Sequence, residues 1–147
     1  RRSSSTIPRE RAKNGATHLV PLAPSALAIV KELVKDERSE KLLPARGNWD
    51  ASPSGFSKAI KRIREDLEKL LGEPVPHWTL HDLRRTMATG LQRLGIRLEV
   101  TEAVLNHLSG ARSGIVGVYQ RHNYFEEKRL ALAAWDNEVH RLARSSG

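Results

Sequence analysis

The chain contains no cysteine, which excludes a disulfide framework, a cysteine nucleophile, thiolate zinc and iron–sulfur ligation. It has no apolar run near the ~20 residues a membrane span needs. No apolar stretch of the signal-peptide kind follows Arg1-Arg2-Ser3-Ser4-Ser5. Internal repeats are absent too, and low complexity is confined to Ser3–Ser5 and Ser145-Ser146-Gly147. Residues 1–5 and 145–147 are therefore expected to be flexible ends. Acidic side chains are in deficit: 17 Asp+Glu face 25 Lys+Arg, a net charge of +8 with pI near 10.3. At 147 residues, 39% hydrophobic and 29% charged, the composition is that of one folded domain over residues 1–147. A cytoplasmic basic domain with an anionic partner is the class that remains.

Residues 4–9 and 17–22 read as short extended segments. Asn14-Gly15 between them is a hairpin signal, because both residue types accept positive φ. Pro21 marks the second segment as an edge strand or a strand end. The pattern then turns helical. Ser25 is placed to cap a helix carrying Leu27, Ile29, Val30, Leu33 and Val34. Pro44, Gly47 and Pro53 make residues 43–53 a loop. A helix over about 54–71 has an apolar stripe of Phe56, Ala59, Ile60, Ile63, Leu67, Leu70 and Leu71, stopped by Gly72 and Pro74. Thr79 caps the next, which Gly95 ends. A short helix over about 98–105 and a stretch punctuated by Gly110, Gly114 and Gly117 come next. The last helix, about 125–142, carries Phe125, Leu132, Trp135, Val139 and Leu142 on one face. The expected fold class is mainly α with a small β-hairpin.

The sharpest local feature is Thr79-Leu80-His81-Asp82-Leu83-Arg84-Arg85-Thr86. His81 and Arg84, three apart on a helix, share a face, while Leu80, Leu83 and Met87 are expected to turn toward the core. A guanidinium offers a planar fork to two phosphate oxygens, and an imidazole donates or shuttles a proton, so the pair suits a phosphate clamp. The plain alternative is a solvated polar face. His77 and His81, four apart, raise a zinc site, but no Glu lies between them and no third ligand is evident.

Other residues extend this pair. Lys13 stands at the hairpin tip, Val104-Leu105-Asn106-His107 ends a helix, and Val118-Tyr119-Gln120-Arg121-His122 follows the glycine-rich link. In order, Lys, His-x-x-Arg, His and Tyr resemble the catalytic domain of the tyrosine recombinase (phage integrase) family. The likeness covers nearly the whole chain and includes His18-Leu19-Val20-Pro21-Leu22. The run Tyr124-Phe125-Glu126-Glu127-Lys128-Arg129 leading to Trp135 is similar to the prophage-integrase branch.

The resemblance implies the DNA breaking-rejoining fold and site-specific recombination of double-stranded DNA, with no cofactor or metal. It implies Tyr119 as nucleophile, forming a 3′-phosphotyrosyl link while a 5′-hydroxyl leaves. Phenol has a pKa near 10 and is a weak nucleophile at neutral pH, so the charge of the transition state must meet fixed donors. Arg84 and His107 would supply them, His81 would assist proton transfer, and Lys13 would protonate the leaving oxygen. Arg9, Arg11, Arg85 and Arg121 would contact DNA. The family also implies a homo-oligomer on DNA, and the free chain is expected to be a monomer with its last helix folded back in cis.

Alternatives stay open. Lys13 has basic neighbours in Arg9 and Arg11, His107 is placed to cap its helix, and Tyr124 competes with Tyr119. The family's further arginine, upstream of the hairpin lysine and followed by Glu, has no counterpart in Arg1 or Arg2, so the chain is expected to start after it and to be a fragment. The link over residues 108–114 is longer than in compact recombinases, which would let Tyr119 act in a neighbouring subunit. A type IB topoisomerase and a non-catalytic helical DNA-binding module are the rival readings.

Overall fold

The computed structural model describes residues 3–12, 14–34, 42–43, 45, 48, 55–107 and 123–145. These form two strands, β1 (Ser4–Ile7) and β2 (His18–Pro21), and five helices: α1 (Pro24–Val34), α2 (Phe56–Leu71), α3 (Leu80–Arg93), α4 (Leu98–Leu105) and α5 (Phe125–Ser145). The mainly helical fold with one small antiparallel sheet agrees with the class read from the sequence. Where length suggested one domain, the chain divides into two compact units. Arg1–Leu27 joins Arg84–Gly147 in the first, and Ala28–Leu83 forms the second.

In the first unit, β1 and β2 pair antiparallel in a register running from Ser4 with Pro21 to Ile7 with His18. Ser4 and Ser5, expected in a flexible end, are thus ladder residues, and Ser145 closes α5. Pro21 ends its strand as anticipated and is fully buried. The hairpin turn is not the tight one that Asn-Gly suggested. Ten residues, 8–17, connect the strands, with one turn closed by Arg11 N–H to the Pro8 carbonyl (3.0 Å) and another by Gly15 N–H to the Ala12 carbonyl (3.0 Å). Only Gly15 of the pair takes positive φ, 64°. Asn14 instead accepts from the Ala16 N–H through Oδ1 at 3.1 Å, the side-chain mimic of a turn that Asn favours.

The core of this unit lies where α3, α4 and α5 meet. Leu91, Val100, Val104 and Ala131 are buried, and Met87, Ile96, Tyr124, Leu132 and Trp135 pack against them. Spacing put Leu80 and Leu83 on the core side of α3, but both are more than half exposed, and Met87 and Leu91, four apart, make the contact. Gly90 lies on the same side. A Cβ there would sit 2.1 Å from the Trp135 ring, so the indole occupies space only a glycine leaves. The α3 C-terminus closes with Gly95 N–H to the Gln92 carbonyl and Ile96 N–H to the Leu91 carbonyl, both 3.0 Å, the paired bonds of a Schellman motif.

Ser25 does not cap α1 with its side chain, because the helix begins one residue earlier at Pro24. A carboxylate from α5 fills that role: Asp136 Oδ2 accepts the Ser25 N–H at 3.3 Å. The Ser25 hydroxyl lies 2.7 Å from His140 Nε2. The expected stripe of α5 is covered only in part. Phe125 is buried and Leu132 and Trp135 pack on the core, whereas Val139 and Leu142 are 44% exposed. Lys128 and Ala131, outside that stripe, are buried instead.

In the second unit α2 ends where Gly72 was expected to stop it, the Gly72 N–H reaching the Glu68 carbonyl. Glu68 Oε1 then accepts the Val75 N–H at 3.3 Å, folding the following segment back. The stripe of α2 is as the sequence spaced it, but no α2 residue is buried, and Leu70 is 80% exposed. The loop read over residues 43–53 and the glycine-punctuated link lie largely or wholly outside the described residues.

Candidate functional site

In the first unit, α4 is the organising element. Its last carbonyls have no partner within the helix and carry the negative end of its dipole. Arg84, on α3, donates an Nη2 hydrogen to one of them, the Leu105 carbonyl. Two residues on, His107 donates its backbone N–H to the Glu102 carbonyl at 2.9 Å. Asn106 between them takes the left-handed conformation, φ 53° and ψ 36°, which turns the chain so that His107 leaves the helix axis. Arg84 and His107 are thereby held at one helix end, and both stay exposed.

The hairpin loop reaches the same place. Asn14 Nδ2 donates to Asn106 Oδ1 at 2.7 Å across a sequence separation of 92. Arg9, Arg11 and Arg85 are exposed, so the first unit presents Arg84, Arg85 and two hairpin arginines to solvent. Lys13, Tyr119 and Arg121 lie outside the described residues.

Behind this exposed layer two further basic groups are buried. His18 is 8% and Lys128 4% exposed. Lys128 Nζ donates to the Leu19 carbonyl at 2.5 Å, and His18 bonds to the backbone of Val104. Burial holds the His18 imidazole below the usual histidine range. The Lys128 charge adds to the fall, the Val104 bond opposes it, and the Arg84 charge lowers it further. Burial likewise lowers Lys128. Positive charge is therefore layered at this end of the unit, with the inner histidine biased toward neutrality.

His81 belongs to the second unit. Thr79 stands at the N-cap position, and Asp82 reaches back to it, accepting from the Thr79 N–H (3.0 Å) and hydroxyl (2.8 Å). This is the returning half of a capping box and sets the first turn of α3. His81 lines a pocket of about 360 Å³ with His77, Trp78, Lys61 and Arg64. An aromatic wall with cationic side chains around it suits an anionic ligand. Among the described residues no group of three or more His, Cys, Asp or Glu is placed to hold a metal.

Tyr124 takes positive φ, 50°, ahead of α5 and packs against the core. Its carbonyl accepts the Lys128 N–H at 2.8 Å, while Asn123 Oδ1 accepts the Phe125 N–H at 3.1 Å. Sequence reasoning missed Asn14, Asn106 and the buried pair His18 and Lys128. Only Asn106 had a local signal, since Asn directly after a helix is a known left-handed stop.

Comparison with known proteins places these features. The sequence model of the phage integrase family matches residues 2–126. The chain is 30% identical over 137 residues to the prophage integrase IntA of Escherichia coli (strain K12), an alignment that covers 90% of this chain and 30% of that protein. The chain thus spans about 30% of the length of that curated relative. No solved structure matches. With its hairpin, its His-Asp-Leu-Arg-Arg-Thr helix and its Leu-Asn-His turn all inside the matched span, the chain belongs to the phage integrase family of tyrosine recombinases.

Proposed function

We propose that the chain is catalytic-domain sequence of a site-specific DNA recombinase that cuts and rejoins double-stranded DNA through a 3′-phosphotyrosyl intermediate. The observation that carries this reading is the hydrogen bond from Arg84 to the Leu105 carbonyl. It brings the arginine of the His-x-x-Arg motif to the helix end that carries His107, as two donors to one phosphate must be.

In this mechanism the Tyr119 oxygen attacks the scissile phosphorus, and the bond to the 5′-oxygen breaks. Arg84 and His107 neutralise the non-bridging oxygens, His81 assists proton transfer, and Lys13 gives its proton to the departing oxygen. Preorganised donors of this kind are usually the largest catalytic contribution. Rejoining is the reverse reaction with a new 5′-hydroxyl, driven by the phosphodiester energy kept in the phosphotyrosine. Arg9, Arg11, Arg85 and Arg121 hold the duplex by its phosphates. The active species is a homo-oligomer assembled on DNA from subunits that are monomeric when free.

The test is covalent attachment to DNA in the intact protein. Tyr119→Phe should abolish it with DNA binding nearly unchanged, since one hydroxyl is lost. Tyr124→Phe should keep it, in line with a ring packed on the core. The reverse pattern would transfer the nucleophile to Tyr124. No attachment in wild type would favour the DNA-binding module.

A further inference from the structure

We propose that Asn106 and Asn14 are positioning residues, whose hydrogen bond holds the tip of the hairpin loop against the α4 end so that the Lys13 side chain can serve as general acid. The inference rests on the reading of Lys13 given above and adds two residues to it.

Asn106 occupies a left-handed position that glycine would fill with less strain. The backbone requirement alone therefore does not explain an asparagine there. Its side chain has a use: Oδ1 accepts from Asn14 Nδ2 at 2.7 Å, and both residues are half-buried. The orientation of Asn14 follows from its other bond. Only an oxygen can accept the Ala16 N–H, so the amide nitrogen is the end left for Asn106. One amide thus ties the loop to itself through its oxygen and to α4 through its nitrogen.

The connection falls between chemically important neighbours. Lys13 is the residue before Asn14 in the sequence. His107 follows Asn106, and the Leu105 carbonyl before it holds Arg84. A general acid must stand within hydrogen-bond reach of the atom it protonates, and misplacement by ~1 Å can cost on the order of 10² in rate. The hairpin connection is ten residues long, with Arg9, Glu10 and Arg11 all exposed. The Asn14 to Asn106 bond fixes this loop next to the residue it must place.

The experiment measures single-turnover covalent attachment by the intact protein on a duplex taken from the junction of the integrated element. One version carries the ordinary 5′-oxygen at the scissile phosphate and the other a 5′-bridging sulfur. A thiolate leaves without a proton, so the sulfur substrate has no need of a general acid. Asn106→Gly keeps the left-handed turn and removes the acceptor, and Asn14→Ala removes the donor. Each should slow attachment ~10- to 100-fold on the oxygen substrate and stay within about threefold of wild type on sulfur. The double variant should be no slower than Asn14→Ala alone, because Asn14→Ala already removes the bond that Asn106→Gly removes. The oxygen-to-sulfur ratio is taken on one protein preparation, so a loss of folded protein cancels from it. Equal losses on both substrates, or none on either, would overturn the inference. Lys13→Ala is the control: it should also recover on sulfur. If it recovers and the asparagine variants do not, only the tether is wrong; if it does not, the role of Lys13 falls and the tether with it.

Discussion

Among the described residues, His18 and Lys128 are the two basic side chains that the first unit buries, and the burial of His18 has a pH signature. The folded protein holds the His18 pKa below its ordinary 6.5, through burial and the Lys128 charge. An unfolded chain therefore takes up the proton first as the solution is acidified. The stability contributed by neutral His18 is complete above about pH 6.5 and is lost as pH falls from there through the lowered folded value. We expect the Tm to fall as the pH drops below about 6.5, and to fall less in His18→Gln, whose amide can still donate a hydrogen bond. Identical pH profiles for the two proteins would show that His18 is not the group responsible. Removing the neighbouring charge with Lys128→Met should move the His18 titration, followed by NMR, back toward its ordinary range.

The helices carry their own strain and their own signals. Gly90 costs α3 roughly 1 kcal/mol relative to alanine at a mid-helix position, and the Trp135 ring explains why it is there. Gly90→Ala should destabilise the fold by ~1–3 kcal/mol as the indole is displaced, despite the better helix propensity. A denaturant midpoint at or above wild type would show that the ring yields freely. Trp135→Ala should cost about 3 kcal/mol or more. Helix ends were legible in the sequence because they are written locally: Gly72, Gly95 and the 98–105 span stand where backbone chemistry puts them. Helix faces were less so. Leu80 and Leu83 satisfy the same spacing as Met87 yet stay exposed, since spacing names a face without saying how far along it the neighbour extends. Lys128 has no apolar signal at all, and its burial depends on a carbonyl of β2, more than a hundred residues away in sequence. Of the candidate site, Arg84 and His107 were named from motifs, and the structure holds both at the α4 end. The asparagine pair that joins hairpin to helix is a tertiary contact that no local pattern encodes.

At the scale of the whole molecule, charge bears on the proposed encounter with DNA. The chain carries +8, and Arg9, Arg11, Arg84 and Arg85 are exposed on the first unit. If these four each meet a phosphate, log affinity should fall with log salt at a slope of about −3.6, roughly a 10²-fold loss between ~50 and ~200 mM. Arg85→Gln should reduce the slope by about one. Affinity independent of salt would remove the phosphate contacts from the account. No helix among the described residues is long and apolar enough to cross a membrane. Val139 and Leu142, each 44% exposed near the end of α5, are apolar side chains that the proposed homo-oligomer would cover if it forms through that end. A truncation that tests this should begin after Asp136, since Phe125, Lys128 and Ala131 are buried in the first unit.

The first unit is assembled from two stretches of chain with the second unit inserted between them, and this sets an order of events at the ribosome. The bond from Lys128 to the Leu19 carbonyl spans 109 residues. At a synthesis rate of ~5–20 residues per second, the strand waits on the order of 5 to 20 s for its partner helix to be made. During that interval the inserted unit is made, and the hairpin waits first for the α4 end that receives its tip and then for α5. The Lys128 anchor of β2 therefore forms only after α5 has been made, so the first unit closes later than the stretch inserted into it.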